Sequence, residues 1–177
     1  MATTAQLRRY ASRGFTREME KRGFSLARRR LCYSRKVNDI YHIVMLGFTS
    51  GNERFFIYTF AWVPELAPQP HDWDSFPDGV TMVTGGTLAD SGPVSRAAGV
   101  RYWPAGSEAE CLAGLTEALS TIDRAAIPWL DRIASRQDMV ARINKESEVD
   151  RFGNKTAEKV LGTKVLLKAD LPPPIGA

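Results

Sequence analysis

The strongest constraint on the fold is a set of strand-like runs separated by turns that are too short for a crossover. Residues 40–48 and 54–63 are rich in β-branched, aromatic and aliphatic side chains, which strands favour. Turn-forming residues lie at 37–39 and 49–53, and Pro64 ends the second run because proline cannot donate to a sheet. A parallel connection needs a dozen or more residues. The region therefore predicts three or four consecutive antiparallel strands.

A helix is predicted ahead of these strands. Its apolar side chains recur at every fourth residue, as on the core-facing side of an amphipathic helix: Leu7, Ala11, Phe15 and Met19. Gly14 weakens the middle of this helix by about 1 kcal/mol relative to alanine, so we expect a kink there or a start at Phe15. Gly23 suits the left-handed position that follows a helix end, which predicts that the helix stops near Arg22.

Further helices are predicted after the strands. Residues 107–110 read Ser-Glu-Ala-Glu, a capping-box sequence, and an apolar stripe with spacings of three and four extends this helix to about residue 124. Pro128 fits the first turn of a second helix, and Ser135 opens a third. A fourth, short helix is expected over residues 154–161.

The segment between strands and helices, residues 64–104, is rich in Gly, Pro, Ser and Asp. Its two short strand candidates are 80–84 and 100–103, and Gly85 with Gly86 is interpreted as a hairpin turn. A structureless loop of this length is uncommon within one domain. We therefore expect at least one of the two candidates to pair at an elaborated edge of the sheet.

These elements together predict an α+β fold. It consists of an N-terminal helix, an antiparallel meander sheet of four to six strands, and three or four C-terminal helices packed on one face of that sheet. A chain of 177 residues is most simply one domain, which we assign to residues 1–170. Residues 171–177 form a Pro-rich tail with no expected role in the core.

The order of elements and two short signatures resemble those of a known family. A Gly-Phe pair at residues 23–24 follows the N-terminal helix, and Pro-Trp-Leu-Asp at residues 128–131 marks a helix start. With strands at 40–48 and 55–62, the chain resembles a bacterial family of small uncharacterised domains, some members of which are similar to toxin-immunity proteins. The resemblance covers about residues 5–165 and implies the fold. It implies no catalytic residues, because that family has no established active site.

Several classes of active site are excluded by residue counts and missing motifs. No window fits the phosphate-binding loop G-x-x-x-x-G-K-[ST], and the G-x-S-x-G turn of serine hydrolases is missing. With two histidines and two cysteines, neither a three-histidine nor a four-cysteine zinc site can form. We therefore expect no cofactor and no metal.

Cysteine usage and the N-terminal sequence indicate a cytoplasmic protein. Cys32 and Cys111 belong to no C-x-x-C pair, so a disulfide framework is not expected. The N-terminus lacks the apolar region of a secretory signal, and no window approaches the apolar length that a membrane span requires. We expect packed thiols, a reducing compartment and no membrane association.

The sharpest polar cluster is His71-Asp72-Trp73-Asp74. An imidazole beside carboxylates can act as an acid–base pair, so a hydrolase-like enzyme using His71, Asp72 and Asp74 is one alternative function. Neighbouring side chains in an extended segment point in opposite directions, which favours a solvated loop instead. His42 lies in an apolar strand and is expected to be a satisfied or half-exposed sheet histidine, not a catalytic base.

Positive charge is concentrated at the N-terminus. Eleven of the first 36 residues are Lys or Arg, against two Glu, so this stretch carries +9 although the whole chain carries +4. Such a charge split attracts acidic partners, and arginine pairs with carboxylates through two parallel hydrogen bonds. The candidate binding residues are Arg9, Arg13, Arg17, Arg28, Arg29 and Arg30.

The favoured function is a non-enzymatic interaction module, immunity-like in character, that binds an acidic protein through this basic N-terminal surface. The alternative is a nucleic-acid-binding protein that uses the same arginines, since each neutralised phosphate releases a counterion. In that case Tyr10, Phe15, Phe24 or Tyr33 would stack on bases.

Overall fold

The computed structural model describes residues 4–26, 31–49, 51, 53–63, 85–94 and 99–149. Three predicted elements lie outside the described residues: the strand candidate at 80–84, the helix at 154–161 and the tail at 171–177.

The described strands form one antiparallel sheet in meander order, as predicted. They are β1 (Ser25–Leu26), β2 (Cys32–Val37), β3 (Ile40–Phe48), β4 (Arg54–Trp62), β5 (Gly85–Ala89), β6 (Gly92–Val94) and β7 (Trp103–Pro104). Strands β1 to β6 lie side by side in sequence order, and β7 pairs with β4. The α+β class is thus confirmed. The strands number seven when β1 and β7, of two residues each, are counted.

The central ladders follow from the short turns. Val37 pairs with Ile40 across a two-residue turn, where Asn38 has a φ of 55°, a left-handed conformation that asparagine tolerates. Phe48 pairs with Phe55 at the next turn. Both connections are too short for anything except antiparallel pairing.

The segment before the C-terminal helices extends the sheet. Of the two strand candidates, 100–103 overlaps a strand only at Trp103: β7 (Trp103–Pro104) pairs with β4, and residues 100–102 are not in a strand. The hairpin turn predicted at Gly85 and Gly86 is wrong, since both glycines lie within β5 and the turn falls at residues 90–91. Gly85 has a φ of +121°, and a Cβ atom there would overlap the backbone of β4. Glycine at this position therefore permits close approach of two strands.

The two faces of the sheet bury different clusters. One face contributes Tyr33, Leu46 and Phe55 to the main core, which also contains residues of the flanking helices. The opposite face holds a cluster whose buried members all lie on strands: Cys32, Ile43, Phe60 and Trp62. Alternation along each strand produces this separation. In the described part of the chain, the helices therefore pack on one face, as predicted.

The N-terminal helix continues through Gly14 by means of a π-helical turn. It consists of α1 (Thr4–Tyr10), a π turn (Ala11–Phe15) and α2 (Thr16–Lys21). The expected late start at Phe15 is therefore wrong, because the helix already begins at Thr4. Gly14 lies inside the π turn, a local departure from α-helical geometry.

The end of α2 confirms the predicted stop at Arg22. The Gly23 N–H donates to the Glu20 carbonyl over 2.9 Å, and the Phe24 N–H donates to the Met19 carbonyl over 3.1 Å. These two bonds form a Schellman motif. Gly23 has the expected left-handed conformation, with a φ of +79°.

The C-terminal helices begin at the predicted cap residue, Ser107. The Glu110 N–H donates to Ser107 Oγ over 3.3 Å at the start of α3 (Glu108–Thr121). The expected helix end near residue 124 is replaced by a second π turn (Ile122–Ala126), which leads directly into α4 (Ile127–Leu130).

Proline explains this π turn. Pro128 lies in the first turn of α4, as predicted, and in a regular helix its ring would clash with the carbonyl four residues earlier. The wider π turn relieves that clash.

A short loop then leads to α5 (Arg136–Val149), where the Asp138 N–H donates to Ser135 Oγ over 3.2 Å. Within the described residues, every helix is too short or too polar to span a membrane.

Candidate interaction surface

The structure places three of the candidate arginines on the exposed side of the N-terminal helix. Arg9, Arg13 and Arg17 each lie two positions before a buried residue of the same helix. Two residues correspond to about 200° of rotation, so these side chains point away from the core. We call Arg9, Arg13 and Arg17 the arginine row.

The π turn keeps the arginine row aligned. In a regular α-helix, residues four apart are offset by about 40°, so a row with this spacing drifts around the helix. A π turn holds more residues than an α turn, which offsets the drift. The buried residues Ala11, Phe15 and Met19, each at most 3% exposed, therefore stay on the side opposite to the arginine row.

The arginine row is largely free of carboxylates from the same chain. Among the described residues, no carboxylate pairs with Arg9 or Arg17. Arg13 Nη1 lies 3.8 Å from Glu108 Oε1, and both side chains are more than half exposed. This distance exceeds that of a hydrogen bond, and exposed ion pairs typically contribute less than about 1 kcal/mol. Arg13 therefore remains available to another acidic group.

Five other arginines of the described part pair with carboxylates of the same chain. Arg22 donates to both carboxylate oxygens of Asp123, over 2.5 and 2.6 Å, and to Glu18 over 3.2 Å. The hydrogen bond to Asp123 raises the pKa of Arg22. Four further arginines have carboxylate partners: Arg35 with Asp131, Arg101 with Asp90 and Glu117, Arg124 with Asp90, and Arg136 with Asp39. The charges of Arg22 and Arg35 are therefore paired within the chain, and these two residues do not add to the basic surface that the sequence suggested.

The remaining candidate residues lie outside the described residues. These are Arg28, Arg29 and Arg30 of the proposed basic surface, and His71, Asp72 and Asp74 of the alternative enzyme site. Their roles stay predictions.

The aromatic side chains considered for base stacking are packed in the core. Phe15, Phe24 and Tyr33 are at most 3% exposed, and Tyr10 packs half-buried against the same cluster. Phe15 and Tyr33 contact each other edge-on, with ring centroids 5.4 Å apart. Stacking on a base requires an exposed ring face. Phe15, Phe24 and Tyr33 therefore offer no exposed ring face for stacking.

His42 is a satisfied sheet histidine, as predicted. Its side chain is 1% exposed, and burial lowers its pKa. Nδ1 lies 3.2 Å from Arg35 Nε, and Nε2 lies 2.7 Å from the Ile133 carbonyl oxygen. Since both ring nitrogens have partners, His42 has no free lone pair with which to act as a base.

Both cysteines are buried, as expected, and they are not joined in a disulfide. Burial raises the pKa of Cys111 to about 11, so little of the reactive thiolate is present at neutral pH. Over the described ranges, no cluster of His, Cys, Asp and Glu side chains is arranged to hold a metal ion.

Comparison with models of known protein families, with curated proteins and with solved structures gives no significant match.

Proposed function

We propose that the chain is a non-enzymatic interaction module that binds an acidic protein through the arginine row. The observation that supports this proposal is the exposure of three guanidinium groups on one side of a helix, two of them without a carboxylate partner among the described residues. Each group can donate two parallel hydrogen bonds to a carboxylate. The arginine row spans roughly 12 Å along the helix axis, which suits several acidic side chains on one partner surface.

The arginine row differs in pairing from the end of the same helix. Arg22 is already paired with Glu18 and Asp123. Its charge is therefore compensated within the chain, whereas that of Arg9 and Arg17 is open to a partner. Because salt screens exposed charges over about 8 to 10 Å, we expect the association to weaken as ionic strength rises.

The resemblance to a family with immunity-like members suggests a biological role for this binding. An immunity-like protein of a bacterial cytoplasm would neutralise a toxin by covering part of its surface, which requires a complementary binding surface and no catalytic group. An acidic toxin surface opposite the arginine row satisfies that requirement, since complementary charge speeds encounter and selects the partner.

Reversal of the arginine row tests the proposal. We expect the triple variant Arg9→Glu, Arg13→Glu, Arg17→Glu to bind an acidic partner about a hundredfold more weakly or worse, because like charges then face each other. The partner is captured from nuclease-treated native lysate on the immobilised chain, and its dissociation constant is then measured with purified protein. The matched control, Lys36→Glu, Arg54→Glu, Arg132→Glu, makes the same charge change at other exposed positions and should retain wild-type affinity.

Two outcomes contradict the proposal. Affinity that survives reversal of the row, or falls equally in the control, removes the row from the interface. Capture that nuclease abolishes, together with an affinity for RNA or DNA that falls steeply with salt, would assign the row to nucleic acid.

A further inference from the structure

His42 connects strand β3 to the loop between α4 and α5. Its Nε2 lies 2.7 Å from the Ile133 carbonyl oxygen in that loop, and its Nδ1 lies 3.2 Å from Arg35 Nε on β2. Arg35 in turn pairs with Asp131 at the start of the loop. We call the set of His42, Arg35, Asp131 and Ile133 the His42 clasp.

The His42 clasp requires a neutral ring that carries its proton on Nε2. A carbonyl oxygen only accepts hydrogen bonds, so Nε2 must be the donor to Ile133. A guanidinium group only donates, so Nδ1 must present its lone pair to Arg35. A second proton on Nδ1 would place two cations in contact at a site where His42 is 1% exposed. The hydrogen bonds of the clasp are therefore incompatible with a charged ring.

The clasp lies beside a small apolar cluster that attaches α5 to the sheet. Ile40, Ala61 and Val63 pack there with Ile133 of the loop and Met139 of α5, and all five are fully buried. Among the side chains of α5 that the structure describes, Met139 is the only buried one. Within residues 136–142, Met139 and the partly buried Val140 make the apolar contacts with this cluster, and the polar contacts at the N-terminal end of α5 add to them.

Two further contacts join the same parts of the chain. The Asn38 side chain donates to the Ala134 carbonyl over 2.8 Å, and Arg136 pairs with Asp39 in the hairpin turn. These contacts lie at the exposed rim of the junction, whereas His42 occupies its buried centre.

We infer that the His42 clasp is an acid-sensitive latch: protonation of Nδ1 releases the loop and the start of α5 from the β2–β3 hairpin and exposes Ile133 and Met139. The incoming proton bonds to the Nδ1 lone pair, so Arg35 loses its acceptor and faces a second positive charge. Asp131, whose side chain is 56% exposed, offsets only part of this repulsion because solvent screens it.

The electrostatics of the site determine the direction of the pH dependence. Burial lowers the pKa of His42 below its ordinary value of 6.5, and the nearby positive charge of Arg35 lowers this pKa further. The hydrogen bond to Ile133 and the negative charge of Asp131 act in the opposite direction and raise this pKa. The released ring therefore takes up a proton at a higher pH than the clasped ring. The clasp has its full strength above pH 6.5 and weakens as the pH falls from 6.5 towards the lowered pKa.

The other charged groups at the junction keep their charge over this range. Arg136 lowers the pKa of Asp39, and a hydrogen bond from Ser135 lowers the pKa of Asp138. Both carboxyl groups therefore stay ionised while His42 titrates, and the arginines stay protonated. Of these groups, His42 is therefore the one whose charge changes over this pH range.

Amide hydrogen exchange of the intact chain between pH 7.5 and 5 tests the latch. After correction for intrinsic exchange rates, we expect the opening constant of residues 131–142 to rise by up to about tenfold per pH unit below pH 6.5, the limit for one proton. Amides of α3 should show no such rise. In the variant His42→Gln, whose amide can still donate to Ile133 but cannot titrate, the rise should disappear.

The inference is contradicted if α3 loses protection from hydrogen exchange in parallel with α5, or if His42→Gln retains the pH dependence. NMR provides a test that does not depend on folding of that variant. In a His71→Gln background, which leaves one histidine in a chain that has two, the ring should show the neutral Nε2–H form at pH 7 and titrate below 6.5. A ring that titrates at or above 6.5 contradicts the inference, whatever partner the arginine row binds.

Discussion

We expect Gly85→Ala to destabilise the fold by about 3 kcal/mol or more, since two penalties combine at one residue. The first is conformational, because Gly85 has a φ of +121°, a region that side chains rarely adopt. The second is steric, because a Cβ atom would overlap the Thr59 carbonyl oxygen and lie 2.7 Å from Phe60 Cα. Both neighbours are backbone atoms of the central strand β4, which cannot move without loss of pairing with β3.

Gly14→Ala is the matched control for this prediction. It makes the same chemical change in the N-terminal helix, where a Cβ atom meets nothing within 4 Å. We expect it to be neutral or to stabilise the protein by up to about 1 kcal/mol, because alanine favours helix. Urea unfolding curves with a common slope give both values. A Gly85→Ala midpoint equal to that of the wild type would show that β5 does not approach β4 as described.

The second large effect is expected for Trp103→Ala, at about 3 to 5 kcal/mol of destabilisation. Trp103 is 1% exposed and stacks on Phe55, with ring centroids 5.4 Å apart and planes at 19°. Helix α3 approaches closely at Gly114, where a Cβ atom would lie 3.0 Å from Phe55 and 3.2 Å from Trp103. Loss of the indole therefore leaves a cavity between the sheet and α3 that the tight backbone contact prevents from collapsing.

The variant Trp103→Phe distinguishes the contribution of the stacked aromatic ring from that of the indole nitrogen. In the described structure, Trp103 Nε1 is buried without a hydrogen-bond partner, so phenylalanine removes an unsatisfied donor as well as some volume. We expect a cost below about 1.5 kcal/mol in the same unfolding assay. A phenylalanine variant as unstable as the alanine variant would mean that the indole nitrogen, not the stacked ring, stabilises this junction.

The strands were the part of the fold most accessible from sequence, for a local reason. Ile40–Phe48 and Arg54–Trp62 each pair with a neighbour across a short turn, so composition and turn length alone decide the pairing. The hairpin turn predicted at Gly85 is wrong because glycine permits both a turn and a close strand approach. Only the presence of β4 next to it distinguishes the two.

The π turns were not predictable from the residue pattern. A π turn differs from an α turn by a shift of one residue in the hydrogen-bond partner, and side-chain spacing does not report that shift reliably. Pro128 indicated a helix start, yet its effect on the preceding residues depends on whether α3 continues into it. Packing of α3 on the sheet decides this.

The candidate surface was predictable in part. Helical spacing placed Arg9, Arg13 and Arg17 on the exposed side, because that argument uses local geometry alone. It did not reveal that Arg22 and Arg35 are neutralised by Asp123 and Asp131, which lie 101 and 96 positions away in the chain. Such pairs exist only once the C-terminal helices dock on the sheet, so a net charge summed along the sequence overstates the basic surface.

Site-specific photo-crosslinking tests most directly whether the arginine row is the binding surface. A photoreactive amino acid at Ser12, which is exposed between Arg9 and Arg13, leaves all three arginines intact; the same group at the exposed Gln137 of α5 is the control. We predict a covalent adduct with an acidic protein from position 12 and not from position 137, and loss of that adduct when Arg9, Arg13 and Arg17 are changed to Glu. An adduct from position 137 alone, or one at position 12 that survives the charge reversal, would contradict the proposed surface.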